Sequence, residues 1–269
     1  GIDHGALAAV NPRIITCSVT GFGSTGPSTQ RPAFDQVVQA MGGGMSITGT
    51  PEQGPIRSGI PIGDLGGGLF GAMGVLAALA ERERTGRGQH VDVSMLDAQI
   101  SRLNYMATMH LMSGIVPEGI GNSHFVHVPY NSYPTRDGHV IVACIGDAFW
   151  QRFLDCIDLP ALRKSEYDYQ PGRHAAKAEI DAIVSAELRK HPTAYWLERL
   201  SAARIPCGPV NDFRQALADA QVRARDMVVE VALDSGKSVQ MPGNPIKLSA
   251  AVPRPFGPPP KLGAHTDSI

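Results

Sequence analysis

The chain has 269 residues, 43% of them hydrophobic and 18% charged, enough for one large domain or two modest ones with a buried core. Its formal net charge of -1 and the lack of a basic run exclude a general electrostatic attraction to nucleic acid or anionic membranes. Cys17, Cys144, Cys156 and Cys207 form no CxxC pair and no disulfide-dense pattern, and no secretory signal is read, which together fit a reducing cytoplasm.

No Met opens the chain. The stretch GIDHGALAAVNP reads as the tail of a helix, so a preceding segment is expected. Arg13 to Val19 (RIITCSV), β-branched and flanked by Pro12 and Gly21, predicts a buried strand. A glycine-rich loop follows, then a helix that Asp35 would cap, with Val37, Val38 and Met41 on its apolar face. Asp64 precedes the longest apolar run, Leu65 to Ala80, which falls short of the roughly 20 residues a bilayer span needs. That run predicts a helix buried nearly all round, with Leu69, Met73, Leu76 and Ala80 sharing one face. Thr85 to Gly88 breaks it, Gln89 to Ser94 predicts a strand, and a helix from Asp97 to about Met112 follows.

Past Pro117, Ser132 to Thr135 and His139 to Cys144 predict a hairpin. Asp147 would cap a helix carrying Phe149, Trp150, Phe153, Leu154 and Ile157, and helices are expected over 175–190 and 193–203. Ile205 to Val210 (IPCGPV) reads as a linker, before short strands over 227–233 and 238–241 and a Pro-rich tail. The fold class expected is α/β. A large α/β domain would cover residues 1–120, a small α+β domain 121–205, and a linker and return to the large domain 206–269.

Gly21 to Gly26 (GFGSTG) matches the G-x-G-x-x-G pattern of dinucleotide sites, which needs its last glycines to open a helix. Pro27 and Pro32 bracket the next residues and no acidic residue closes a second strand, so a nicotinamide oxidoreductase is kept only as a distant alternative. His124 and His127 have ligand spacing but no partner carboxylate or cysteine nearby, and a polar loop without metal is expected. Cys207, between prolines, reads as a small buried residue rather than a reactive thiol. Asp64 carries two compatible readings. It is a helix N-cap, or it is a nucleophile kept ionised by a helix N-terminus, with flanking glycines that admit a bulky substrate.

The stretches NPRIITCSVTGFGSTGP (11–27), AFDQVVQAMGG (33–43), GIPIGDLGGGLFGAMGVLAALAERERTGRGQHVDVSMLDA (59–98), IPCGPV (205–210), NPIKLS (244–249) and the terminal LGAHTD resemble, in order, the family III CoA-transferases (CaiB/BaiF). The resemblance implies a Rossmann-type large domain linked to a small α+β domain, in a homodimer whose chains interlock like rings. It implies Asp64 as the catalytic residue, with CoA or substrate contacts at Phe22, Gly23, Phe34, Asp35, Gly63, Gly66 and Gly67. Coenzyme A and acyl-CoA enter as substrate, with no metal; the implied partners are an acyl-CoA donor and a carboxylate acceptor, with no nucleic acid and no membrane.

In the family's transferases the aspartate carries CoA covalently, and the glycines after it would offer N–H donors to the oxyanions. Its α-methylacyl-CoA racemases instead pair that aspartate with a histidine, since inversion needs an acid and a base on opposite faces. Here Phe34 stands at the histidine position, and a small-domain glutamate aligns with Gly146. Both departures favour the transferase over the racemase alternative. Family members carry first strands and CoA nucleotide contacts ahead of the matching region, so a catalytically dead binding subunit is a further reading.

Overall fold

Asp3 opens the first helix, α1 (His4–Val10), by accepting the N–H of Ala6, so these residues start a capped helix rather than end one. A computed structural model describes residues 2–251 and 256–268, and divides the chain into two units, 1–131 and 132–269. Residues 252–255 of the Pro-rich tail lie outside the described residues.

In the first unit β1 (Thr16–Thr20) leads through α2 (Asp35–Met41), a 3-10 turn at Gly44–Ile47 and α3 (Ile62–Thr85) to β2 (His90–Ser94). The strands pair in parallel, from Thr16 opposite His90 to Thr20 opposite Ser94. Parallel neighbours need such a crossover, so this is a βαβ unit. The described residues supply one such unit, not a full doubly wound sheet. β1, expected to be buried, is not fully so: Val19 stays 44% exposed although α3 packs against it. Two helices close the unit, α4 (Met95–Arg102) and α5 (Asn104–Ser113). The single helix expected over 97–112 breaks because Asn104 adopts φ 53, a left-handed conformation that Asn tolerates.

Helix α3 decides how the unit packs. Gly63, Gly67, Gly71 and Gly74 fall within an arc of roughly 80° at 100° per residue. A Cβ added at each would stand 2.6 Å from Val38, 2.9 Å from Val19, 3.2 Å from Val19 and 2.5 Å from Val91. The helix therefore lies closer to α2 and the strands than any larger side chain permits. Leu65, Leu69, Met73 and Leu76 project the other way and are 50%, 66%, 62% and 65% exposed. The expectation of a core face at Leu69, Met73, Leu76 and Ala80 is thus inverted: glycines face the core and the large residues face away from it. Over its 24 residues α3 is long and apolar enough to cross a membrane, with a mean hydropathy of 1.6 in its best window. Its glycine stripe is seated on β1 and β2, while its opposite face is exposed.

The second unit has its own core. β3 (Tyr130–Pro134), which begins in the last residues of the first unit, β4 (His139–Ala143) and β5 (Cys207–Pro209) form a three-stranded sheet. IPCGPV is therefore not a linker: Cys207 and Gly208 pair antiparallel with Val142 and Ile141. Around the sheet stand α6 (Asp147–Ile157), α7 (Gln170–Ala175), α8 (Lys177–Leu188) and α9 (Thr193–Ala202). They bury Trp150, Phe153, Leu154, Ile180, Val184, Leu188, Trp196 and Leu200. Asp147 does not cap α6, since Gly146 holds the N-cap position. Instead its carboxylate pairs at 2.6 Å with the guanidinium of Arg173, which is fully buried and also donates to the carbonyls of Tyr167 and Asp168. A buried charge needs such pairing. Two short helices, α10 (Phe213–Ala218) and α11 (Ala220–Ala224), lead to the hairpin β6 (Val228–Ala232) and β7 (Ser238–Pro242).

Candidate active site

Gly67 and Gly71 rest against Val19, and Gly74 against Val91, so α3 runs antiparallel to the strands and starts at their carboxyl end. That edge is where open parallel sheets place ligands. Asp64 stands there, in the first turn of α3 and exposed. Its carboxylate has no hydrogen bond or ion pair among the described residues.

Asp64 is not the N-cap. Pro61 occupies that position without a side-chain bond, and the capping is done from another helix. Asp35 Oδ1 accepts the N–H of Gly63 at 2.7 Å and that of Asp64 at 3.4 Å. Asp35 is equally not the cap expected for α2, whose N-cap is Phe34. The remaining early donors of α3 are also used, Ile62 on the Ile60 carbonyl and Leu65 on the Pro61 carbonyl. Gly66 and Gly67 lie inside the helix, where N–H groups bond four residues back. The glycines following Asp64 are therefore not oxyanion donors in this conformation.

The other expected contacts divide. Gly63, Gly66 and Gly67 are buried: a Cβ on Gly66 would meet the Arg102 guanidinium at 2.8 Å, and the neighbours of Gly63 and Gly67 are given above. The loop after β1 lies close to the Phe34–Asp35 pair, since a Cβ on Gly21 would stand 2.4 Å from that of Ala33. In this loop Gly23 has φ +82 and donates to Thr20 Oγ1 at 2.9 Å, and the Phe22 ring stacks with Arg31 at 5.1 Å. The Ser24 N–H and hydroxyl both reach Asp92 on β2, holding its carboxyl below the usual range. No helix starts at Gly26, so the dinucleotide pattern lacks the N-terminus it needs. Phe34 is 82% exposed, adjacent to Asp35. Asp64, Asp35, Gly63, Phe34 and the Gly21–Gly23 turn thus share one neighbourhood, while Gly66 and Gly67 face the packing side.

The His124 and His127 rings meet at a tilt with centroids 4.7 Å apart, and His124 stacks on Phe125 and Tyr130. Among the described residues no three His, Cys, Asp or Glu side chains converge as metal ligands.

Residues 1–266 match the family described as CoA-transferase family III. The chain belongs to that family. It is 35% identical over 270 residues to the succinate–glutarate CoA-transferase of Agrobacterium fabrum, covering 100% of this chain and 68% of the relative. It is 37% identical over 255 residues to the acetyl-CoA:oxalate CoA-transferase of Acetobacter aceti, covering 93% and 63%. With human succinyl-CoA:glutarate CoA-transferase it shares 30% over 270 residues, covering 100% and 62%. The chain thus spans roughly two thirds of the length of these relatives. A CaiB/BaiF family protein from Brucella suis superposes with TM-score 0.87 at 31% identity, covering 99% of this chain and 70% of that one. The mixed α/β fold is that of the CaiB/BaiF structures.

Sequence reasoning missed Gln39, Ser58 and Arg102. Gln39 Nε2 donates to Asp35 Oδ2 at 2.7 Å, and its Oε1 accepts the Ser58 N–H at 3.0 Å. The i,i+4 spacing of Asp35 and Gln39 on a helix was a usable signal. Arg102 donates to the Ile62 carbonyl at 2.5 Å and to Gln99, bracing the first turn of α3 from α4. It lines a cleft of about 360 Å³ with Gln39, Ser58, Ile62 and Tyr105. Ile62 lies about 200° around the helix from Asp64.

Proposed function

We propose that the protein transfers CoA from an acyl-CoA to a carboxylic acid through an aspartyl-CoA thioester on Asp64. The observation that carries this reading is the state of Asp64: a carboxylate free of partners among the described residues, on a helix turn anchored by Asp35, at the ligand edge of a parallel strand pair. Asp64 sits in the first turn of α3, where the helix N-terminus points at its carboxylate. An Asp64 oxygen attacks the thioester carbonyl, and CoA leaves as thiolate, giving a mixed anhydride. The thiolate then attacks the Asp64 acyl carbon of the anhydride and expels the donor's carboxylate, leaving CoA on Asp64. The acceptor carboxylate attacks this thioester and displaces the thiolate, which takes the acceptor's acyl carbon and frees Asp64. No electron is gained or lost overall, and the cycle requires that water stay out.

Dicarboxylic acids are the proposed acceptor class, because the relatives are named for succinate, glutarate and oxalate. The racemase alternative would need a second acid–base group at Phe34, which offers an apolar ring. It would also need a side chain at Gly146, where φ +88 favours glycine. The exposed faces of α2 and α3, with Val37, Met41, Leu65, Leu69, Met73 and Leu76, support a homodimer in which a further surface covers them. A cytoplasmic location is proposed on the four free cysteines.

The test is to incubate the protein with a donor acyl-CoA that turns over, then treat it with hydroxylamine or borohydride. Mass spectrometry should find a hydroxamate or an alcohol on the peptide bearing Asp64. An unmodified peptide under turnover conditions eliminates the covalent route.

A further inference from the structure

We infer that Asp35 is a positioning residue for Asp64, and that Gln39 fixes it by hydrogen-bond polarity, so that its acceptor pattern rather than its negative charge matters. The inference rests on the transferase reading of Asp64.

Four hydrogen bonds form a directed chain. The N–H groups of Gly63 and Asp64 converge on Asp35 Oδ1, Gln39 Nε2 donates to Asp35 Oδ2, and Ser58 N–H donates to Gln39 Oε1. Backbone N–H groups only donate, so Ser58 dictates which end of the Gln39 amide faces Asp35. Gln39 is 3% exposed, so its amide relies on these protein partners. Residue 35 must therefore accept hydrogen bonds at both side-chain oxygens. The chain ties α2, the Ser58 segment and the first turn of α3 into one clamp. Gly63 completes it, since a Cβ there would crowd Asp35 Oδ1 at 2.9 Å and its carbonyl oxygen at 3.1 Å.

A nucleophile used twice per cycle needs its peptide held in place, because a 1 Å misplacement of reacting groups costs on the order of 10²-fold in rate. Asp35→Asn keeps the oxygen that caps α3 but turns an NH2 group toward the Gln39 NH2. Gln39→Glu keeps the bond to Ser58 but sets a carboxylate against that of Asp35. Each single change breaks the chain at one link. Combined, they restore every bond with donor and acceptor exchanged: the new amide at 35 donates to the new carboxylate at 39, which still accepts from Ser58.

The experiment compares wild type, Asp35→Asn, Gln39→Glu, the double variant and Asp64→Asn by steady-state transfer kinetics and thermal unfolding. Each single variant at 35 or 39 is expected to lower kcat by about 10- to 100-fold, with KM for the acyl-CoA changed by less than about threefold. The double variant is expected to recover kcat to within about fivefold of wild type. A double variant as slow as the singles overturns the inference, because the charge at 35 would then be what counts. Wild-type kcat in both singles overturns it equally. If one single variant fails to fold, the other single and the double decide. Transfer retained by Asp64→Asn is a separate result, which removes the transferase reading itself.

Discussion

A Cβ built on Gly74 would stand 2.5 Å from Cγ1 of Val91, whereas one built on Gly68, six residues earlier on the same helix, meets nothing within 4 Å. Alanine gains about 1 kcal/mol over glycine in a helix interior. At Gly68 that gain should appear, and Gly68→Ala is expected to stabilise by roughly 0.5–1 kcal/mol. At Gly74 overpacking costs about 1–3 kcal/mol and outweighs it, so Gly74→Ala should destabilise. Urea unfolding of both variants measures the difference, and equal shifts would refute the close packing of α3 on β2.

Asp64→Asn should reduce transfer by at least ~10³-fold, since the amide cannot form the anhydride. The carboxylate is exposed and unpartnered among the described residues, so stability should change by no more than about 1 kcal/mol, mostly from the helix dipole. Transfer assays together with circular-dichroism melting provide the check. Activity within tenfold of wild type would show that Asp64 is not the CoA carrier.

Phe34 presents an exposed ring beside Asp35 and supplies no proton. Wild-type protein should therefore show no exchange of the α-proton of a 2-methylacyl-CoA with deuterated solvent. NMR of the recovered thioester measures this. Rapid wild-type exchange would move the protein to the racemase branch.

Burial pushes the Cys144 thiol up to about 12, against the opposing charges of Arg173 and Arg152. At pH 8 almost none of it is thiolate, so iodoacetamide should leave Cys144 unmodified until the protein is unfolded. The folded state holds this proton where the unfolded state releases it. Its contribution to stability is therefore intact below pH 9 and falls as pH rises from the ordinary 9.0 toward about 12. Peptide mapping after native and denaturing alkylation tests the first point, and early labelling of Cys144 would contradict it.

The sequence by itself determined the strands and the long helix of the βαβ unit, and the family. RIITCSV and QHVDVS supply the two strands, and a break at Thr85–Gly88 ends α3 where Gly86 turns left-handed at φ 76. The GIPIGDLGGG stretch put Asp64 at a helix start. Tertiary structure decided what these elements face. Hydrophobic periodicity marks two opposite stripes on α3, Gly63–Gly67–Gly71–Gly74 and Leu65–Leu69–Met73–Leu76, without saying which is inside. Close contact with Val19 and Val91 chooses the glycines, because only they let the helix axis approach that near. The capping of α3 was out of reach for the same kind of reason. Local rules look for a cap beside the helix, whereas Asp35 arrives from 28 residues earlier in the chain, brought there only by the packing of α2 on α3.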